Sequence, residues 1–272
     1  MMINSFSGAR RAAALALLLA LGACAETEEP YVERPVEELY NTAADLLADG
    51  QYEQAAIAFD EVERQHPYSQ WATRAQVMAA YSHYQADAYD EAIIAADRFL
   101  QVHPGHESAP YARYLIALSY YEQISDVQRD QRFTQLALQA LDEVVKRDPG
   151  TDYARAARLK IDLTFDHLAG KEMAVGRFYL RRGDYVGAIN RFRAVIERFQ
   201  TTSQVPEALH RLVECYLELG VETEAQTAAA VLGHNFPGSP WYEASYRLLV
   251  EKNLEPVESE GSWLAQAWDS VF

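Results

Sequence analysis

Cys24 is the residue whose place in the sequence suggests a definite chemical modification. It follows a basic stretch ending in Arg10 and Arg11 and an apolar run from Ala12 to Leu21. The run is too short to span a bilayer, which takes roughly 20 residues, but it suits the core of a secretory signal. The sequence LGAC at its end resembles a bacterial lipobox. We therefore predict that residues 1–23 are a lipoprotein signal peptide and that the Cys24 thiol carries the lipid. A plain cleaved signal with an unrelated cysteine is the alternative.

No other group of residues suggests catalysis or metal binding. His103 and His106 are close in sequence, but no cysteine or further histidine lies nearby to complete a metal site. Cys215 lies in the apolar sequence LVECYLEL and is expected to be a buried core thiol. The chain has no nucleophile elbow, HExxH motif or phosphate-binding glycine loop. We therefore expect no enzymatic activity, no cofactor and no metal. A hydrolase with an unrecognised carboxylate pair is the alternative from a different class.

The charge of the chain limits its partners. Without the two arginines of residues 1–23, 22 basic residues remain against 40 acidic ones, a formal charge of -18. Such a surface repels nucleic acid and anionic lipid headgroups. We expect no nucleic-acid partner, and membrane attachment through acyl chains alone. Residues 24–34 are polar, acidic and without helical periodicity, which predicts a flexible lipid tether.

The rest of the sequence is built from a helical repeat. In residues 50–67 an alanine and larger apolar residues fall on one helical face, and a proline, which cannot continue a helix, follows. The pattern occurs five times, at Tyr52, Ala55, Phe59, Val62 and Pro67; Tyr89, Ala92, Ala96, Phe99 and Pro104; Ala137, Leu141, Val144 and Pro149; Tyr185, Ala188, Phe192 and Val195; and Ala225, Ala229, Leu232 and Pro237. We predict an all-α fold over residues 35–253, a tetratricopeptide-like solenoid of five helical hairpins with an extra C-terminal helix.

Two repeats exceed the usual 34-residue period. In the third, the charged sequence ISDVQRDQR is expected to form an exposed loop between the two helices. In the fourth, the first helix is predicted to span 153–182, about 45 Å at 1.5 Å per residue. It would join the front repeats, 35–150, to the back repeats, 151–253. Breaks at Gly170 or Gly176 are the alternative.

Tyrosines recur on the first helices of the front repeats. In a stack of hairpins these helices line the concave side, and rigid amphipathic rings suit an extended peptide with aromatic side chains. The alternative is that the tyrosines pack between hairpins. The predicted substrate-peptide groove consists of Tyr40, Tyr81, Tyr84, Tyr111, Tyr114 and Tyr121.

The carboxyl end, residues 254–272, reads as an acidic linker followed by a short amphipathic tail. Its tail is too short to stay helical alone, so we expect it to dock, either on its own repeats or on a partner. The apolar face includes Trp263, Trp268 and Phe272. It has no basic residue and is a poor membrane-surface helix.

Several segments resemble the BamD (ComL) family, lipoprotein components of the outer-membrane β-barrel assembly (BAM) complex. They are ERQHPYS, ADRFLQVHPGHE, DVQRDQ, VGRFYLRRGDYVGAINRF, EALHRLVECYLELG and WYEAS. The resemblance implies a non-enzymatic protein anchored in the outer membrane and facing the periplasm. It also implies binding to the POTRA domain of BamA through the back repeats, contact with other BAM subunits, and receipt of unfolded outer-membrane β-barrel proteins by the front repeats.

Arg191, in the sequence AINRF, matches the family arginine at the partner-facing region, so the resemblance implies that it contacts BamA. An exposed helix charge that contributes little to stability is the alternative. Gln200 departs from the repeat by replacing the usual proline, and we expect it to loosen the exit of the fourth hairpin. A periplasmic tetratricopeptide lipoprotein that coordinates cell division or peptidoglycan synthesis is the alternative function. The sequence gives no partner for the tail.

Overall fold

The computed structural model describes residues 33–259 and 261–269, and Val36 begins one compact unit. The regular elements in these residues are α-helices. In chain order they are α1 (Val36–Ala48), α2 (Tyr52–Gln65), α3 (Gln70–Gln85), α4 (Tyr89–Val102), α5 (Ala109–Glu122), α6 (Arg132–Arg147), α7 (Asp152–Arg181), α8 (Tyr185–Arg198), α9 (Val205–Glu218), α10 (Glu222–Asn235), α11 (Pro240–Glu251) and α12 (Trp263–Asp269).

Helices α1 to α10 form five antiparallel pairs, each packed against the next, so the predicted all-α architecture of five hairpins is confirmed. The first helices of the front pairs also contact one another, since α1 packs on α3, α3 on α5 and α5 on α7. Helix α11 covers α9 and α10, and α12 packs on α8 and α10. The first helices thus form a continuous inner row along the front of the array.

The repeat positions supply the core. The alanine of the pattern is completely buried in all five second helices, which lets the paired helices approach closely. Phe59 and Phe192, four residues after this alanine, are also completely buried, and Leu141 takes this position in the third repeat. Phe99 is completely buried three residues further along its helix, where the first repeat has Val62. Burial of such side chains contributes about 1.5–3 kcal/mol each. The period that identified the repeat in the sequence is therefore the period of the hydrophobic core.

All five second helices end with the same backbone geometry. Their C-cap residues, the first of which is His66, have φ between -125° and -135° and ψ between 40° and 58°. The loosening expected at Gln200 is not observed, because Phe199 before it has φ -135° and ψ 40° and donates its N–H to Val195 O like the other caps. The Gln200 side chain instead donates to Ala267 O of α12 at 3.2 Å, so it fastens the tail.

Helix α7 is continuous over 30 residues. Thr151 caps its start by accepting the Ala154 N–H at 3.1 Å. Gly176 does not break the helix. It is buried where the ring of Phe192 crosses, and a Cβ at this position would lie 2.8 Å from Phe192 Cζ and 2.9 Å from Cδ1. The glycine therefore permits the close approach of α7 and α8.

Candidate functional site

A row of tyrosine rings runs across the first helices of successive pairs. The ring centroid of Tyr81 on α3 is 6.4 Å from that of Tyr111 on α5. Tyr111 lies 5.4 Å and Tyr114 5.6 Å from Tyr153, which is in the first turn of α7. These four residues, called the tyrosine row below, are half-buried. They present one aromatic surface on three helices.

The other predicted groove residues have different neighbours. The ring of Tyr40 packs at 5.4 Å from Phe59 and 4.8 Å from Trp71, so it contributes to packing among α1, α2 and α3. The ring centroid of Tyr84 is 5.8 Å from that of Tyr89, with the rings tilted at 57°, and the Tyr84 hydroxyl donates to Glu122 Oε1 at 3.5 Å. Each of these rings is partly covered by neighbouring helices.

Tyr121 extends the aromatic surface towards α7. The Lys160 ammonium lies 3.9 Å above its ring centroid, a cation–π contact between α5 and α7.

The phenols of Tyr84, Tyr111, Tyr114 and Tyr121 remain protonated donors over the physiological range. Burial, with a contribution from Glu122, raises the pKa of Tyr84 to about 12. Burial and the neighbouring tyrosines also raise the pKa of Tyr111. Burial raises the pKa of Tyr114 and Tyr121 in the same way. Neutral hydroxyls beside flat rings can donate to the carbonyl oxygens of an extended chain and pack against its apolar side chains.

Tyr153 is the member of the tyrosine row that the sequence analysis missed. It was read only as the start of the long helix. Tyr111 and Tyr114 are three residues apart and face the next first helix, so an aromatic residue in the first turn of α7 continues the same lining. Carrying the tyrosine pattern from α5 into α7 would have found it.

Arg191 lies on α8 and joins it to α7. Its Nη1 is 3.2 Å from Oε2 of Glu172, and 45% of the Arg191 side chain is exposed. The guanidinium carries five N–H donors, so one ion pair leaves donors directed to solvent. The geometry permits a second, intermolecular carboxylate at this arginine.

The tail packs on the back pairs of the array. The Trp263 indole donates to the Tyr216 hydroxyl at 2.9 Å, and the Arg193 guanidinium lies 4.0 Å above the Trp263 ring. Trp268 is 8% exposed and its ring centroid is 6.3 Å from that of Phe236. The tail thus docks on its own repeats through both described tryptophans.

Phe272 and the predicted lipid attachment residue Cys24 lie outside the described residues. In the part of the chain that is described, no helix combines the length and apolar character needed to cross a membrane.

Polar clusters in the described residues have structural explanations. His103 and His106 flank the Phe99 ring at 5.4 and 5.6 Å, and no cluster of three metal-ligating side chains occurs in 33–259 or 261–269. His210 Nδ1 is 2.9 Å from Ser245 Oγ, and its Nε2 is 3.4 Å from a Glu214 oxygen. This serine–histidine–carboxylate arrangement resembles a catalytic triad. Ser245 is completely buried, so its hydroxyl cannot reach a dissolved substrate. The cluster links α9 to α11.

Comparison with known proteins places the chain in a family. A family model described as outer membrane lipoprotein (YfiO) matches residues 32–232. The outer membrane protein assembly factor BamD of Caulobacter vibrioides is 52% identical over 262 residues, covering 94% of this chain and 86% of that protein. BamD of Rickettsia prowazekii is 44% identical over 238 residues, covering 87% and 95%.

BamD of Neisseria meningitidis serogroup A is 34% identical over 243 residues, covering 84% of this chain and 91% of that protein. Among solved structures, a thermophilic TPR protein of Thermus thermophilus is 17% identical with a TM-score of 0.37, covering 79% of this chain and 98% of its own. That likeness is too low to bear on function. The resemblance found in the sequence is confirmed, and the chain belongs to the outer membrane lipoprotein family that contains the BamD assembly factors.

Proposed function

We propose that this chain is an outer-membrane protein assembly factor, a periplasmic scaffold of the BAM complex held at the outer membrane by a lipid on Cys24. Its back repeats bind the POTRA domain of BamA, and its front repeats receive unfolded β-barrel proteins. The family and the names of the relatives support the general role. The observation that carries the substrate side is the tyrosine row across α3, α5 and α7.

The tyrosine row has the chemistry expected for unfolded barrel segments. Such segments are extended, carry aromatic side chains and expose unpaired backbone carbonyls. Half-buried rings lose little conformational entropy when they bind a peptide, and their neutral hydroxyls can satisfy carbonyls. The surface therefore fits a polymer of varied sequence better than one small molecule.

The continuous helix α7 separates the two activities. Tyr153 lies in its first turn, whereas Glu172, the partner of Arg191, lies five turns further on, about 29 Å along the axis at 1.5 Å per residue. Substrate and BamA can therefore be held at the same time without overlap.

The substrate side is tested with an aromatic-ended peptide from the carboxyl terminus of an outer-membrane barrel. Its affinity for mature chain carrying Cys24→Ser is measured by fluorescence anisotropy. We expect Tyr153→Ala to weaken binding about tenfold, or about 1.4 kcal/mol, with helical circular dichroism unchanged. Tyr246→Ala is the matched control, because this tyrosine is 45% exposed and lies on α11, away from the row. Equal losses in both variants would refute the assignment of the row.

The BamA side is tested by calorimetry with the POTRA domains of BamA. We expect Arg191→Glu to weaken binding at least about tenfold, since a carboxylate replaces the half-exposed guanidinium. Arg147→Glu is the control, because Arg147 is also an exposed arginine paired with a glutamate, Glu143, but lies on α6. Unchanged binding by Arg191→Glu would exclude this arginine from the interface. No binding by the unsubstituted chain would exclude BamA as the partner.

A further inference from the structure

A pocket of about 340 Å³ lies between loop 123–131 and the carboxyl half of α7. Among the described residues that line it, three are cationic and none is acidic, although the whole chain has a formal charge of -16. The lining consists of Gln128, Lys171, Ala174, Val175, Arg177, Phe178 and Arg181. A concentration of positive charge on a strongly acidic protein is a feature that neither the repeat nor the core requires.

The pocket residues occupy one face of α7. Lys171, Val175 and Phe178 recur at helical spacing, with Ala174, Arg177 and Arg181 beside them, whereas Met173 and Gly176 face the core. The face is therefore separate from the side of α7 that packs on α8. Phe178 is 46% exposed, so the cations surround an accessible aromatic ring.

The insertion in the third repeat forms the opposite wall. The Lys171 ammonium donates to Gln128 O at 3.1 Å and to Arg129 O at 3.4 Å, which holds the loop against α7. These two carbonyl oxygens accept from Lys171 but carry no net charge. The loop thus forms one wall of the pocket through Gln128, whereas its Asp126 and Asp130 are not among the lining residues.

Arg177 pairs with a glutamate that also contacts a second arginine. Its Nη1 is 2.9 Å from Glu207 Oε2, but the other oxygen of Glu207 is 3.3 Å from Arg211. Arg211 also has a second carboxylate partner, Glu214, whose Oε2 is 2.8 Å from Arg211 Nη1. At the far end of the pocket Arg181 is exposed, and Arg182 lies 5.4 Å over the Phe178 ring. The side chains of α7 that line the pocket thus include three cations and no carboxylate.

We propose that this pocket docks a short acidic segment of a partner protein that carries an apolar side chain. Carboxylates of the segment pair with Lys171, Arg177 and Arg181, and the apolar side chain covers Phe178. From Lys171 to Arg181 the helix rises about 15 Å, which matches about four or five extended residues. An anionic membrane is disfavoured, because the acidic remainder of the chain repels a charged bilayer whereas a short segment meets only the pocket.

This site is distinct from the tyrosine row and from Arg191, so the inference does not depend on the proposed function. The probe is a fluorescein-labelled peptide, Gly-Ser-Glu-Phe-Asp-Glu-Gly, and its neutral counterpart has glutamine and asparagine at the acidic positions. Both are titrated with mature chain carrying Cys24→Ser, and fluorescence anisotropy is recorded. We expect the acidic peptide to bind at least about tenfold more tightly than the neutral one, and its affinity to fall between about 50 mM and about 500 mM salt.

Two substitutions on the surface test the pocket itself. Arg181→Glu should weaken the acidic peptide at least about tenfold, and Phe178→Ala should weaken both peptides. Arg155→Glu is the matched control, because it makes the same charge change at an exposed arginine in the first turn of the same helix. It should leave the affinity within about twofold. Equal effects of Arg181→Glu and Arg155→Glu, or equal binding of the two peptides, would overturn the proposal.

Two other occupants of the pocket would give different experimental results. If replacing Glu26, Glu28 and Glu29 by glutamine strengthens peptide binding about tenfold, the amino-terminal segment of this chain occupies the pocket, and the assignment to a partner protein is overturned. If phosphatidylglycerol vesicles co-sediment with the chain in a manner abolished by Arg181→Glu while the peptide does not bind, the surface belongs to the membrane, and the proposal is again overturned. Vesicle binding equal to that of uncharged phosphatidylcholine vesicles, together with peptide binding, supports it.

Discussion

Because α7 approaches α8 closely, we predict that a glycine-to-alanine substitution in α7 destabilises the protein. Replacing glycine by alanine inside a helix ordinarily stabilises it by about 1 kcal/mol, because alanine has the higher helix propensity. At Gly176 the added methyl would meet three ring carbons of Phe192, two of them at 2.8 and 2.9 Å. Phe192 is completely buried, so its ring cannot move without displacing other core side chains. We expect Gly176→Ala to destabilise the protein.

The magnitude follows from two opposing terms. Overpacking of a dense core costs about 1–3 kcal/mol, and a contact with a whole ring edge belongs at the upper end of that range. Offset by about 1 kcal/mol of propensity, the net loss is about 2 kcal/mol. Gly170→Ala is the control on the same helix, since its Cβ would lie 3.4 Å from Val127 Cγ1, an ordinary contact. It should gain about 1 kcal/mol, so the two variants should differ by about 3 kcal/mol.

Urea unfolding followed by circular dichroism measures both variants. The expected result is a lower midpoint for Gly176→Ala and a higher one for Gly170→Ala. Phe192→Leu in the Gly176→Ala background should recover part of the loss, because a smaller side chain leaves room for the methyl. Stabilisation by Gly176→Ala equal to that by Gly170→Ala would refute the close packing of α7 on α8.

Three other buried contacts have measurable consequences. Arg113 donates two hydrogen bonds of 2.8 and 2.9 Å to Asp148, and the two side chains are only 14% and 10% exposed. Arg113→Ala should therefore lower the free energy of unfolding, measured in urea, by about 3–5 kcal/mol. A loss below about 1 kcal/mol would contradict the burial of the pair. Burial raises the pKa of Cys215 from 9.0 to about 12. The contribution of this thiol to stability is therefore complete below pH 9 and is lost as the pH rises through about 12. At pH 8 a thiol reagent should react with Cys215 only after unfolding, and immediate reaction would show an exposed thiol. Trp268→Ala should lower the unfolding free energy by about 3–5 kcal/mol, whereas an unchanged midpoint would mean that the tail is undocked in solution.

The fold could be predicted from the sequence because the repeat is periodic. Alanine and phenylalanine at fixed spacing, as at Ala55, Phe59, Ala188 and Phe192, define a buried helical face whatever the contacts beyond it. The length of α7 was predictable for the same reason, since its apolar face stays in phase. Whether Gly176 breaks the helix depends on packing, because a helix interior tolerates glycine where a neighbouring ring needs the space.

The candidate sites were less predictable because they depend on contacts between distant segments. The tyrosines of α3 and α5 were found from spacing, but Tyr40 packs into the core on Phe59 and Trp71. Its first-helix position alone could not distinguish the two environments. The cationic pocket requires loop 123–131 to fold against Lys171, a contact that no local pattern specifies. The bond from Gln200 to α12 likewise joins residues 67 positions apart.

The continuous helix α7 has a consequence for how the molecule unfolds. In stacked repeat proteins each unit is stabilised by its neighbours, and an array can open from one end while the other stays folded. Here one uninterrupted helix packs on α5 and α6 in its first half and on α8 in its second half. Opening either the front or the back repeats would expose apolar surface of the same helix and break some of its backbone hydrogen bonds. Amide hydrogen exchange in α6 and α8 should therefore share one cooperative opening, whereas α1 should exchange independently at lower free energy.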